Sequence, residues 1–147
     1  MTEPPTTCDE ALVELLAALE LSLLQYVSQA ELWTDAGQDE AAATLGRLAK
    51  EQRQSSAETA ERLAARHLLP ELTNFPSAFA QLHYLALTYM LDRLIANQQS
   101  VVAVAEEAVV ACDSIPVLKR IRDRETRNLI ELQRLRDLRS PEPDRRG

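Results

Sequence analysis

The stretch "LAKEQRQSSAETAERL", from Leu48 to Leu63, decides how the chain is read. It contains no Gly or Pro and is rich in good helix formers, so it predicts a helix. Placed on a wheel at about 100° per residue, its apolar face holds Leu48, Ala49, Ala60 and Leu63, with Leu45 just before them. Gln52, Ser56 and Thr59 fall on that face, His67 follows further along, and Ser55 sits on the flank. Glu51 and Gln54 fall well off it, towards solvent. An inward face interrupted by amides and hydroxyls at mid-length implies a helix bundle with polar groups in its core. Such a layer is costly unless its members hydrogen-bond to one another, to water or to a ligand.

Working outward, the whole chain reads as all-α. It has 147 residues, only 3 Gly and 4% aromatics, and no segment alternates as a strand does. Thr7-x-x-Glu10 is a capping-box pattern that opens a first helix over 8–35, with a stop near Gly37. Its stripe is Leu12, Leu16, Leu19, Leu23, Tyr26, Ala30 and Trp33. A second helix covers 38–68 and ends before Pro70. A third is apolar from Phe79 to Cys112, with a stripe that includes Leu87, Met90, Leu94, Gln98, Val101, Ala105 and Ala108. "CDSIP" breaks the pattern, and Pro116 in the first turn opens a fourth helix that runs to Leu138. Residues 1–7 and 140–147 are expected to be disordered flanks of a single domain over 8–139. The expected architecture is an antiparallel four-helix bundle, and the longer 69–84 connection either turns back or traverses the bundle's length.

Each helix carries a polar residue near mid-length on its inward side. They are Glu20 on the edge of the first stripe, Gln52 with Ser55 or Ser56 in the second, Gln98 in the third, and Glu125 with Asn128 in the fourth. They are expected to meet in one layer, with Glu125 accepting hydrogen bonds from the amides and hydroxyls around it. Such a layer could also face a small molecule, because bundles place pockets between helices. Tyr26, Trp33, Tyr84 and Tyr89 are expected to pack in the core and at helix ends.

This arrangement resembles the ferritin-like superfamily, bacterioferritin in particular, over Asp9 to Leu138. "LELSLLQYVSQA" resembles the family's first helix, "AERLAARHLLPEL" the end of its second, and "RDRETRNLIELQRL" its last. The resemblance implies a crossover between the second and third helices. It also implies a di-metal centre built from one Glu on each of two helices and Glu-x-x-His on each of the other two. Aligned on Tyr26 and Pro70, the second-helix motif falls on Gln52-x-x-Ser55. The third-helix Glu becomes Gln98, and the fourth-helix motif becomes Glu125-x-x-Asn128. The first-helix Glu is met only by Glu20, one position beyond the place the spacing assigns, which is Leu19. Any metal would therefore rest on Glu20 and Glu125 alone. Two cations bring a +4 charge that two carboxylates do not offset in a dry bundle. The expectation is a bundle whose metal ligands are largely lost, with no cofactor, leaning away from an enzyme and towards a binding or structural module. The alternative is a di-iron or di-manganese oxidoreductase or storage protein with altered ligands.

Charge and cysteines bound the remaining classes. The net charge is -7, yet ten of the 16 basic residues lie from Lys119 to Gly147 against six of the 23 acidic ones. No stacking aromatics lie among those bases, so nucleic acid is not expected as a partner. The basic last helix is expected to pack beside the acidic first one. Apolar runs are broken by charge before the ~20 residues of a membrane span, so no membrane role is expected. Cys8 and Cys112 show no paired spacing. Cys112 is expected to be a buried free thiol and the protein cytoplasmic, self-associating as a homodimer. No nucleophilic triad, phosphate loop or zinc spacing occurs.

Overall fold

In a computed structural model, residues 7–30, 39–68, 70–84 and 87–139 are described. They form α1 (Cys8–Glu20), α2 (Leu23–Ala30), α3 (Asp39–Ala65), a 3-10 helix (Ser77–Tyr84), α4 (Leu87–Ala111) and α5 (Val117–Arg139). No strand occurs among the described residues. The expected stop at Gly37, Trp33 and the 140–147 tail lie outside them, as do the side chains of His83 and Tyr84.

The capping box is present. Thr7 Oγ1 accepts from Glu10 N–H at 3.1 Å, and the Glu10 carboxylate accepts from Thr7 N–H. The expected first helix, however, is two. It breaks at Leu21 and Ser22, where Ser22 Oγ accepts from Gln25 N–H at 3.1 Å and so caps α2. The Leu23 N–H freed by the break donates to Asn97 Oδ1 at 3.0 Å. At the end of α3, His67 takes φ 62°. Its N–H donates to Ala64 O and that of Leu68 to Leu63 O, which closes the helix in a Schellman motif. His67 is thus an exposed helix terminator and does not extend the inward face.

The helices pack as a bundle. α1 lies against α3 and α4, α5 lies against the same two, and α2 continues beyond the break between α3 and α4. The order around the ring is therefore α1, α3, α5, α4. Contacts at the ends give the directions. Asp9 pairs with Arg66 at 2.6 Å, so the start of α1 meets the end of α3. Asp92 pairs with Arg136 at 2.6 Å, so the start of α4 meets the end of α5. Arg47 near the start of α3 faces Glu131 of α5 at 3.9 Å. The basic α5 thus spends its charge on α3 and α4, and not on the acidic first helix as expected.

The core is in two halves. One joins Leu12, Leu15 and Leu19 of α1 to Leu63, Val101, Ala105, Leu118 and Ile121. The other joins Leu23, Leu24 and Val27 of α2 to Leu45, Leu48, Met90, Leu94 and Leu132. Leu68 and Leu72 pack against the first half, Phe79 and Leu82 against the second. Tyr26 meets the rings of Phe75 and Phe79 at 5.3 and 5.5 Å. Tyr89, expected to pack in the core or at a helix end, is exposed in the first turn of α4.

By length and composition Cys8–Ala30 is apolar enough to cross a membrane, with a mean hydropathy of 1.5 over its most apolar 18 residues, although Glu14 and Glu20 interrupt it as expected. Here its leucines line both halves of the core and its polar midpoint is hydrogen-bonded within the bundle.

Cys8 and Cys112 are disulfide-bonded, with Cα atoms 5.0 Å apart. This corrects the expectation of a free Cys112 thiol and removes the premise for a reducing compartment. The bond fastens the start of α1 to the end of α4 across 104 residues of sequence. Constraining a loop of this size in the unfolded chain is worth about 4–5 kcal/mol in the chain-entropy account. Cys8→Ser should lower urea-unfolding stability by that amount, and added reductant should then change nothing further. A wild type indifferent to reductant would contradict the bond.

Candidate functional site

Between the two halves of the core lies a slab of buried polar side chains: Ser22, Gln25, Gln52, Ser55, Ser56, Thr59, Gln98, Glu125 and Asn128. Gln52, Ser55, Ser56, Gln98, Glu125 and Asn128 are the inward residues expected from the helical wheel, and the fold brings them together. Glu20 is not among them. It is exposed at the last position of α1, because the helix breaks just after it. Ser22 and Gln25 enter the layer in its place.

Glu125 is the centre. Its side chain has no exposure, and four neighbours from three helices donate to it. Gln52 Nε2 and Gln98 Nε2 each reach Oε1 at 2.9 Å, Ser55 Oγ reaches Oε2 at 2.7 Å, and Asn128 Nδ2 lies 3.4 Å from Oε1. Gln98 Nε2 also donates to the Glu125 backbone carbonyl at 2.9 Å. The donors are themselves oriented. Gln52 Oε1 accepts from Ser22 Oγ at 2.5 Å and Gln25 Nε2 at 3.1 Å, and Gln98 Oε1 accepts from Gln52 Nε2 at 3.1 Å. Gln25 Nε2 donates as well to Ala49 O at 2.8 Å. Each of the three glutamine amides therefore uses both hydrogens on named acceptors.

The layer opens towards solvent on one side. Arg124 NH1 donates to Ser55 Oγ at 3.0 Å and to Glu58 Oε1 at 2.9 Å. The guanidinium thus stands one hydroxyl away from Glu125. Glu58 titrates below the usual glutamate range. Its partial burial pushes the carboxyl up, but hydrogen bonds from Arg124 and Gln54 and the charges of Arg124 and Arg120 outweigh that. Two buried atoms, Ser56 Oγ and Asn128 Oδ1, have no hydrogen-bond partner among the described residues.

As a metal site the layer does not fit. A di-metal centre needs several carboxylates with free oxygens and imidazoles to complete each shell. The layer has one carboxylate, and both its oxygens accept hydrogen bonds from protein groups. Among the described residues no group of three or more His, Cys, Asp or Glu converges on a point. What the arrangement can do is hold four helices in register through a directed hydrogen-bond network.

No known family model matches the chain, and neither a curated protein nor a solved structure matches it.

Two outcomes follow from the distances. Gln52→Leu strands the Ser22 hydroxyl, a Gln25 hydrogen and the Gln98 carbonyl while Glu125 loses a donor. It should cost about 3 kcal/mol or more in urea unfolding. Asn128→Leu removes one long bond and one unpartnered oxygen and should cost about 1 kcal/mol or less. Equal losses would contradict the network. The second outcome concerns pH. Because folding lowers the Glu58 pKa, its pairing with Arg124 stabilises the fold above the unfolded-state value and is lost as pH falls through the folded one. The stability gap between wild type and Glu58→Gln should be widest near neutrality and shrink as the pH falls below the ordinary glutamate range.

Proposed function

We propose that the chain is a ferritin-like four-helix bundle in which a hydrogen-bonded polar layer stands where the family builds its metal centre. It acts as a binding or structural module and not as a metal-dependent oxidoreductase. The ring order α1, α3, α5, α4 supports the topology, because it sets α1 diagonal to α5 and α3 diagonal to α4. The end contacts run α3 and α4 in the same direction, so the chain between them has to travel the length of the bundle. Leu68 and Leu72 packing on one half of the core, and Phe79 and Leu82 on the other, agree with that crossing.

The observation that carries the functional reading is the state of Glu125. Its oxygens take hydrogen bonds from neutral Gln52, Gln98, Ser55 and Asn128, which occupy the places where the resemblance implies carboxylates and imidazoles. A divalent cation entering here would displace those donors and find no second carboxylate to offset its charge. The test is anaerobic loading with Fe(II) or Mn(II), desalting and metal analysis. The expected content is far below one metal per chain, unchanged in Glu125→Ala. Stoichiometric metal that disappears in Glu125→Ala would overturn the reading. A variant carrying Gln52→Glu, Ser55→His, Gln98→Glu and Asn128→His should acquire Co(II) absorption bands if the alignment with the family's ligand positions is right.

A further inference from the structure

Beside the helix break lies a cleft of about 420 Å³ formed by α4, the 3-10 helix and the first residue of α2. This is within the size range of small-molecule sites, roughly 300–1,000 Å³. Its two walls differ in chemistry. Leu23, Phe79 and Leu82 supply an apolar wall, held in place by the packing of Phe79 against Tyr26 and Phe75. The other wall is one face of α4, with Arg93, Asn97 and Ser100 at spacings of four and three along the same stripe.

Those three side chains are donors. Arg93 is exposed and makes no ion pair among the described residues. Asn97 spends its carbonyl oxygen on Leu23 N–H, which turns its amide nitrogen to other acceptors. Ser100 adds a hydroxyl. No carboxylate lines the cleft. A row of one cation, one amide and one hydroxyl facing an apolar wall matches a ligand with an anionic head and a short apolar body.

We propose that this cleft binds a small apolar carboxylate, its head on Arg93 and Asn97 and its body against Phe79 and Leu82. The site is separate from the Glu125 layer but touches it through the chain. Leu23 and Asn97 are the sequence neighbours of Ser22 and Gln98, which belong to the layer. A bound ligand therefore braces the helix break from outside. The inference is independent of the metal-free reading, and failure of one leaves the other standing.

Octanoate is the probe, with octylammonium of equal chain length as the control. Calorimetric titration of the full chain should give saturable one-to-one octanoate binding, at least tenfold tighter than octylammonium. Arg93→Gln, at an exposed position, should weaken octanoate about tenfold, the loss expected for a charge-assisted hydrogen bond. Ala96→Trp, which fills the cleft from the exposed face of α4, should abolish it. Amide shifts on octanoate addition should centre on Leu23, Phe79 and Asn97. Absence of saturable binding, equal affinity for octylammonium, or octanoate affinity unchanged in Arg93→Gln would overturn the proposal.

Discussion

A fully buried carboxylate sets the terms for this bundle. Glu125 offers only acceptors, and in an apolar core each must be met by a donor or the chain loses several kcal/mol. The donors come from α3, α4 and α5 itself. Because Glu125 accepts, Gln98 and Gln52 have to turn their nitrogens towards it, and their oxygens are left facing back along the network. Gln98 Oε1 then needs the second hydrogen of Gln52, and Gln52 Oε1 needs Ser22 and Gln25. One buried acid thus fixes the orientation of three amides and the position of a serine on another helix. The direction of donation runs inward at every step.

The helix break between α1 and α2 follows from the same demand. In a continuous helix the Ser22 hydroxyl and the Leu23 N–H would face the helix's own backbone, and the chain would run on in the register that holds Glu20 outward. Breaking it at Leu21 and Ser22 brings a hydroxyl inward and exposes the Leu23 N–H, which Asn97 satisfies next to the layer residue Gln98. The break also divides the leucines of the N-terminal segment between the two halves of the core. Each half is closed differently. The first carries the Cys8–Cys112 bond at its outer end, and the second is covered by the aromatic group of Tyr26, Phe75 and Phe79. The segment joining α3 to α4 touches both.

Much of this is legible in the sequence because helical periodicity is a one-dimensional signal. Gln52, Ser56, Gln98, Glu125 and Asn128 each interrupt a stripe of Leu, Ala and Val at spacings of three or four, so their inward placement follows from the wheel. Glu20 is misplaced because a single helix over 8–35 puts it at the edge of the inward stripe, whereas α1 ends there. Ser22-x-x-Gln25 has the form of a capping box in the middle of that run, and reading it as a helix start would have moved Glu20 outward and drawn Ser22 and Gln25 in. The disulfide had no comparable signal. Its two cysteines are 104 positions apart, and only the packing of α1 against α4 brings them together. The direction of the basic charge on α5 was illegible for a similar reason. Pairing Arg124 with Glu58 and Arg136 with Asp92 depends on ring order, which periodicity does not carry.

What such a layer contributes to the fold can be argued from the two apolar halves on either side of it. Leu and Ala stripes above and below the slab are nearly self-similar, and a helix shifted by one turn would still bury most of its apolar area. Hydrophobic burial therefore distinguishes poorly between registers. The polar layer distinguishes sharply. Sliding α3 by a turn would carry Gln52 and Ser55 about 5.4 Å along the axis and leave Glu125, Gln98 and Ser22 unmet in a dry core. Replacing the whole layer with well-packed apolar residues would remove that penalty and the register it enforces together. The partially exposed Arg124–Glu58 pair extends the constraint to the surface, where a cation holds Ser55 Oγ as an acceptor and so commits its hydrogen to Glu125. The layer works as an alignment device whose specificity comes from the cost of leaving it half made.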